Sequence, residues 1–245
     1  GSYMFKDCVN LRNVYFAAST SLAAYGIPSY AFYGCSSLQF PEFPSNITSI
    51  GTYAFAKCSS LTSVVIPNTV TTIGRNIFWD GDIEDLSVPF VGYNASPSYY
   101  NGYGNYHQYF YSRYTIGWFF GATDAYPNYS SYGRSITIAS GQAYSDASKS
   151  YRVQVNYYCY MGWGGSTVDG ECKFEYWYLP KSLKKVSVTN TSIIPYLAFW
   201  SASTLTEINI ASTVTTIRES SMYNCRNLQT LTVPFIGISN GASSY

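Results

Sequence analysis

The chain is expected to form a solenoid, mostly β or α/β in type, with one parallel strand per coil and an inserted tyrosine-rich antiparallel β subdomain. Three observations predict this. Seven stretches of the form L-x-x-[aliphatic]-x-[aliphatic] begin at Leu11, Leu38, Leu61, Ile83, Leu183, Leu205 and Leu228. Four of the six gaps between them are 22 or 23 residues, a fixed period in which no coil can bury its apolar face without its neighbours. The gap from Ile83 to Leu183 is 100 residues and has its own composition, with 18 of the 27 tyrosines lying between Tyr93 and Tyr178. The boundaries that follow are 1–92 for the first set of coils, 93–178 for the insert and 179–245 for the returning coils.

The coil beginning at Leu61 shows what each position does. Leu61, Val64 and Ile66 face inward, with the alternation of a strand. Pro67 ends the ladder because it has no N–H to donate. Val70 and Ile73 return along the opposite wall, Gly74 permits a tight corner, and Phe78 fills the interior before the next strand. Ile50, Ile194 and Ile217 precede Phe55, Phe199 and Met222 in the same way. Stacking in phase puts Phe on Phe and Leu on Leu, each buried side chain contributing about 1.5–3 kcal/mol. Cys8, Cys35, Cys58 and Cys225 each lie three residues before a strand Leu, which predicts buried structural thiols at one fixed corner.

Strand neighbours of opposite parity face outward. They are Asn13 and Tyr15, Phe40 and Glu42, Ser63 and Val65, Asp85 and Ser87, then Lys185 and Ser187, Glu207 and Asn209, Thr230 and Thr232. The row carries no acid/base cluster or charge stripe, so it is expected to be a neutral contact surface.

The run from Phe55 to Gly74, with Cys58, Leu61, Val64, Ile66, Pro67, Val70 and Ile73 in phase, resembles the BspA-type leucine-rich repeat family. Phe32-Tyr-Gly-Cys35-Ser-Ser-Leu38 and Met222-Tyr-Asn-Cys225-Arg-Asn-Leu228 are similar units. The resemblance covers residues 3–92 and 179–238. It departs from the pattern where Gly81 and Ala202 replace the cysteine and Met222 replaces the Phe. It implies a leucine-rich repeat solenoid, secreted or displayed on the surface of bacteria or parasitic protists and concerned with adhesion to host proteins or other cells. It brings no enzyme activity.

The insert opens with Val88-Pro89-Phe90-Val91-Gly92, which Val233-Pro234-Phe235-Ile236-Gly237 echoes, as if a second super-repeat begins at the C-terminus. Such openings, followed by an element like Ile116-Gly117-Trp118-Phe119-Phe120-Gly121, also occur among BspA-like proteins. Residues 93–113 show no apolar period and read as loop. Ser135–Ala139, Tyr151–Tyr157 and Lys173–Tyr178 alternate as strands. Two readings of the tyrosines stand side by side. They supply apolar surface that the sparse Leu and Ile cannot, or they form an adaptable binding surface with rigid amphipathic anchors. Tyr99, Tyr100, Tyr103 and Tyr106 are the expected exposed set. Cys159 and Cys172 lie outside the repeat and are candidates for a disulfide, although spacing alone does not establish one.

Composition excludes several functions. Charged residues make up 11% and net charge is +1, so no long-range field attracts nucleic acid or an anionic membrane. No apolar run approaches the ~20 residues that span a bilayer. The N-terminus lacks a signal-peptide pattern and the first coil starts mid-unit, so the chain reads as a piece of a longer protein whose signal and anchor lie elsewhere. No CxxC or His/Cys cluster predicts zinc. His107 has no adjacent nucleophile or carboxylate partner. Asp80, Asp82, Glu84 and Asp85 read as a solvated acidic corner, because the full calcium-loop pattern is missing.

The function expected is recognition or adhesion at the cell surface or outside the cell, without catalysis, cofactor or metal. The partner would be a protein or glycan on another cell or host matrix. Candidate contacts are Tyr15, Phe40, Val65, Lys185, Glu207 and Asn209 on the strand face, with Tyr99, Tyr100, Tyr103 and Tyr106 in the insert. The alternatives are a structural spacer in a surface layer and a carbohydrate-active enzyme using Asp124, Asp146, Asp169 or Glu171.

Overall fold

In the computed structural model the described residues are 1–16, 26–44, 46–95, 114–122, 143–156 and 174–237. Each of the seven expected repeats begins a strand two residues after its leading Leu or Ile. These strands are β1 (Asn13–Val14), β2 (Phe40–Pro41), β4 (Ser63–Val65), β6 (Asp85–Val88), β9 (Lys185–Val188), β11 (Glu207–Ile210) and β13 (Thr230–Thr232). The opposite wall carries shorter strands, β3 (Ser49–Ile50), β5 (Thr72–Ile73), β10 (Ile193–Ile194) and β12 (Thr216–Ile217). An antiparallel pair, β7 (Ser150–Asn156) and β8 (Phe174–Pro180), belongs to the insert. The described residues contain short 3-10 turns but no α-helix, so the solenoid is of the mostly β type.

The main sheet is parallel and runs in the order β4-β6-β9-β11-β13. Its register aligns Ser63, Asp85, Lys185, Glu207 and Thr230. No described strand of the insert joins this sheet. β6 pairs directly with β9, with Leu86 beside Val186 and Val88 beside Val188, although 96 residues separate β6's last residue from β9's first. Leu38, Leu61, Ile83, Leu183 and Leu205 are buried, as are Val64, Leu86, Val186 and Ile208 on the strands.

The stacking of like side chains is literal. Ring centroids of Phe5 and Phe32 lie 5.3 Å apart, those of Phe32 and Phe55 5.3 Å, and those of Phe55 and Phe78 6.3 Å. The column continues into the insert, where Phe120 packs 6.0 Å from Phe78.

The corner that holds these rings has a backbone rule of its own. Two residues per coil adopt the left-handed conformation: Tyr3, Tyr30, Tyr53, Asn76, Leu197 and Ser220 in one row, and Asp7, Lys57, Asp80, Ser201 and Asn224, with Gly34, in the other. Left-handed non-glycine residues cost energy and persist where the surroundings compensate. Here alternate corner N–H groups are turned along the solenoid axis. Tyr53, Phe55 and Lys57 donate to the carbonyls of Arg75, Ile77 and Trp79 in the next coil at 3.1, 2.9 and 2.7 Å. The corner thus forms a third ladder that satisfies its backbone without a regular strand.

Gly74 needs a different explanation from the tight corner expected of it. Its φ is not left-handed; a Cβ there would collide with the Thr52 backbone of the preceding coil, as a Cβ on Gly51 would with Ser29. Glycine recurs at this position because coils approach backbone to backbone.

Candidate functional site

Tyr15 and Val65 are 79% and 54% exposed. Lys185, Glu207 and Asn209 stand half-buried on neighbouring strands. The Phe40 side chain, Tyr99, Tyr100, Tyr103, Tyr106, His107, the expected strand 135–139, Asp124, Asp169 and Glu171 lie outside the described residues, as do Cys159 and Cys172. Among the described residues no group of three or more His, Cys, Asp or Glu is placed to hold a metal.

The strand face does carry a cluster of acid and base, contrary to the expectation. Lys185 Nζ sits between Asp85 at 3.9 Å and Glu207 at 3.4 Å, because the parallel register puts all three side by side. The Asn209 amide donates to Glu207 at 2.7 Å, and this bond, with Lys185 beyond it, holds the Glu207 carboxyl below its usual range. In the sequence the insert sets Asp85 and Lys185 100 positions apart, so no local pattern shows the cluster. Such exposed pairs order side chains more than they stabilise the fold.

The acidic corner is also not simply solvated. Asp80 accepts from the Ser145 backbone N–H at 3.0 Å and lies 3.9 Å from Lys57. Asp82 binds Lys149 at 2.7 Å, which raises the lysine's pKa. Ser145 and Lys149 belong to the insert as it returns to the solenoid, so these acids anchor it. Beside them Tyr144 is buried against Trp79 and Ala56, and burial pushes its phenol pKa up. The Trp79 indole donates to the Ala143 carbonyl at 3.1 Å.

The described part of the insert is continuous with the core. Ile116–Phe119 forms a 3-10 turn whose carbonyls accept from the previous corner, Trp118 from Asn76 at 2.7 Å and Phe119 from Phe78 at 2.9 Å. Ile116 N–H in turn donates to Ala198 at 2.8 Å. Residues 116–120 therefore supply the corner of the coil whose strand is β6. Trp118 Nε1 donates to Ile73 at 2.7 Å on the opposite wall. Val153, Trp177 and Leu179 of β7 and β8 join the same apolar cluster as Leu61 and Leu205. Gly117 lies so close to the Trp177 indole that a Cβ there would strike it. Tyr151 reaches Ser201 through its hydroxyl at 2.9 Å, and burial raises its pKa strongly. The described aromatics of the insert are thus largely structural.

The thiols divide by position. Cys35, Cys58 and Cys225 donate to the carbonyls of Phe5, Phe32 and Phe199 in the preceding coil at 3.1, 3.2 and 3.0 Å. Burial pushes Cys35 and Cys225 up to about 11 and Cys58 higher still. The expected burial fails for Cys8, which is exposed, and is partial for Cys225. Both lie in the outermost coils, where stacking covers one side.

A feature the sequence reading missed lies outside the corner. Left-handed backbone at Tyr3, Tyr30 and Tyr53 turns their rings into a stack, with centroids 4.7 and 5.1 Å apart. Burial, then the neighbouring phenols of Tyr53 and Tyr3, raise the Tyr30 pKa. In the row beside them stand Lys6, Tyr33, Ala56 and Trp79. Lys6 Nζ lies 5.5 Å from the Tyr33 ring centroid, and Lys57 Nζ lies 5.9 and 5.2 Å from those of Tyr33 and Trp79. Tyr3, Lys6, Tyr30, Tyr33, Tyr53 and Trp79 line a groove of about 320 Å³. The signal available in sequence was the 23-residue spacing from Tyr30 to Tyr53.

These observations agree with comparisons to known proteins. The family model for the BspA type leucine-rich repeat region matches six copies over residues 1–96 and 171–242, and the chain belongs to that family. No curated protein gives a significant match. Among solved structures, a leucine-rich repeat protein from Bacteroides ovatus is 15% identical, with 93% of this chain and 68% of that one covered and a TM-score of 0.33. A leucine rich cell surface protein from Faecalibacterium prausnitzii is 17% identical over 83% of this chain and 44% of its own, also at a TM-score of 0.33. Superpositions this loose add nothing to the family assignment. No helix among the described residues is long and apolar enough to cross a membrane.

Proposed function

We propose that this chain is a recognition module, displayed at the cell surface or secreted, that binds proteins or glycans of another cell or host matrix without catalysis. Coils 1–92 and 179–245 form its scaffold, and 93–178 is the unit that distinguishes it from a plain repeat. The observation that carries this reading is the continuous exposed sheet face. Because β6 pairs with β9 in register, outward residues from Ser63 and Val65 through Lys185, Glu207 and Asn209 to Thr230 and Thr232 form one surface. A face of short polar side chains and exposed Val65 and Tyr15 makes weak individual contacts, and repetition along a longer chain or many copies per cell supplies avidity.

The test is binding of the purified chain to a panel of extracellular matrix proteins and cell-surface glycans. It is compared with a sheet-face variant (Val65→Arg with Asn209→Arg) and an insert variant with Tyr99, Tyr100, Tyr103 and Tyr106 changed to Ser. Deleting the whole insert is uninformative, since that removes Trp118, Phe120 and Trp177 from the core. Binding that weakens in either variant supports recognition through these surfaces. Silence across the panel, or binding indifferent to both variants, contradicts it.

A further inference from the structure

The groove outside the corner has four properties of a ligand site. It is concave, and its volume of about 320 Å³ sits at the lower end of the range for ligand pockets. It is preorganised, since its tyrosines are held by left-handed backbone and by the corner ladder, with Tyr30 N–H on Thr52 at 2.9 Å and Tyr53 N–H on Arg75 at 3.1 Å. Among the described residues its lining carries one charged side chain, the ammonium of Lys6. Asp7, the exposed neighbour 3.7 Å from that ammonium, and Asp80, which is engaged by Lys57 and Ser145, lie outside the lining.

The geometry also has a direction. Tyr3, Tyr30 and Tyr53 stack face to face along the solenoid axis, so their faces are used by one another and their edges and hydroxyls are what remains for a ligand. The ring spacing of 4.7 and 5.1 Å is close to the rise of one sugar in an extended β-1,4-linked chain. Ala56 holds the place that Tyr33 and Trp79 fill in the coils on either side, and Tyr144 of the insert fills the space over it, so the groove is bounded there by packed rings. The groove beside it, lined by four tyrosines and the Trp79 indole, suits a sugar chain, with phenols for the sugar hydroxyls.

We propose that this corner groove binds a linear acidic polysaccharide lying parallel to the solenoid axis, its carboxylates directed to Lys6 and its hydroxyls to Tyr30 and Tyr33. The site rests on the recognition reading above and gives it a ligand class. It is distinct from the strand face, whose central lysine lies between two carboxylates, Asp85 and Glu207, whereas Lys6 has the one exposed carboxylate of Asp7 beside it.

The experiment is calorimetric titration of the whole chain with hexamers of β-1,4-linked mannuronate and of hyaluronan, and with neutral β-1,4-mannohexaose as the uncharged control. Saturable binding of at least one acidic hexamer is expected, weakened by added salt and at least tenfold tighter than mannohexaose. Lys6→Glu is expected to weaken it about tenfold or more, the scale of one charge-assisted hydrogen bond. Tyr30→Phe, which keeps the ring stack and removes only the hydroxyl, is expected to weaken it about three- to tenfold with the melting temperature unchanged. Failure of both acidic hexamers to bind, equal binding of the neutral one, or unaltered affinity in both variants overturns the proposal. If neither acidic hexamer binds while the extracellular panel gives binding that Lys6→Glu leaves intact, recognition stands and this groove is excluded; silence in every assay removes both.

Discussion

Gly74 shows how a single residue is dictated by its neighbour coil. With no room for a Cβ against the Thr52 backbone, Gly74→Ala must push two coils apart or bend one of them. Overpacking of this kind costs on the order of 1–3 kcal/mol. A lower urea midpoint is expected for Gly74→Ala, against a change within about 0.5 kcal/mol for Ser63→Ala on the exposed face. Equal stability of the two variants would contradict the close approach. Residues of this sort were only partly legible in the sequence. Leu61, Phe55 and Cys58 recur as types, so their period could be counted. The left-handed corner residues could not, because one row is filled by Tyr, Asn, Leu and Ser and the other by Asp, Gly, Lys, Ser and Asn. What repeats there is a backbone conformation supported by inter-coil hydrogen bonds, and side-chain identity carries little trace of it.

At the scale of elements, the seven first strands were legible because their alternation is short, regular and anchored by a leading Leu or Ile. The strands β7 and β8 were legible from their alternation alone. What pattern did not reveal is how the insert is built into the coil. The Ile116–Phe119 turn was noticeable as a motif, but its task as the corner under Phe78 depends on hydrogen bonds to Asn76 and Phe78 that no local pattern encodes. Trp177, fully buried and packed over Gly117, is the residue that joins the hairpin to this turn. Trp177→Ala is expected to cost about 3–5 kcal/mol, as for other buried aromatic truncations. Because the hairpin and the coils share one core, the loss should appear as a single shifted transition in both far- and near-ultraviolet circular dichroism. An early minor transition, with the main one unmoved, would mean that the insert merely decorates the solenoid.

For the whole molecule, the question is whether two runs of coils separated in sequence act as one body. A repeat protein is held together by nearest-neighbour interfaces, so one weak interface would split it into two independently melting halves. The β6–β9 pairing is that interface, and Asp85, Leu86, Ser87 and Val88 meet Lys185, Val186, Ser187 and Val188 along it without a shift. It also unites the exposed face on which the proposed recognition depends. The most direct measurement is native-state hydrogen exchange of the backbone amides in β4, β6, β9 and β11. Protection in β9 equal to that in its neighbours, lost together with theirs as denaturant is added, is the result expected. Rapid exchange in β9, or loss of protection in 183–237 while residues 46–95 stay protected, would show that the coils do not stack in register across the insert.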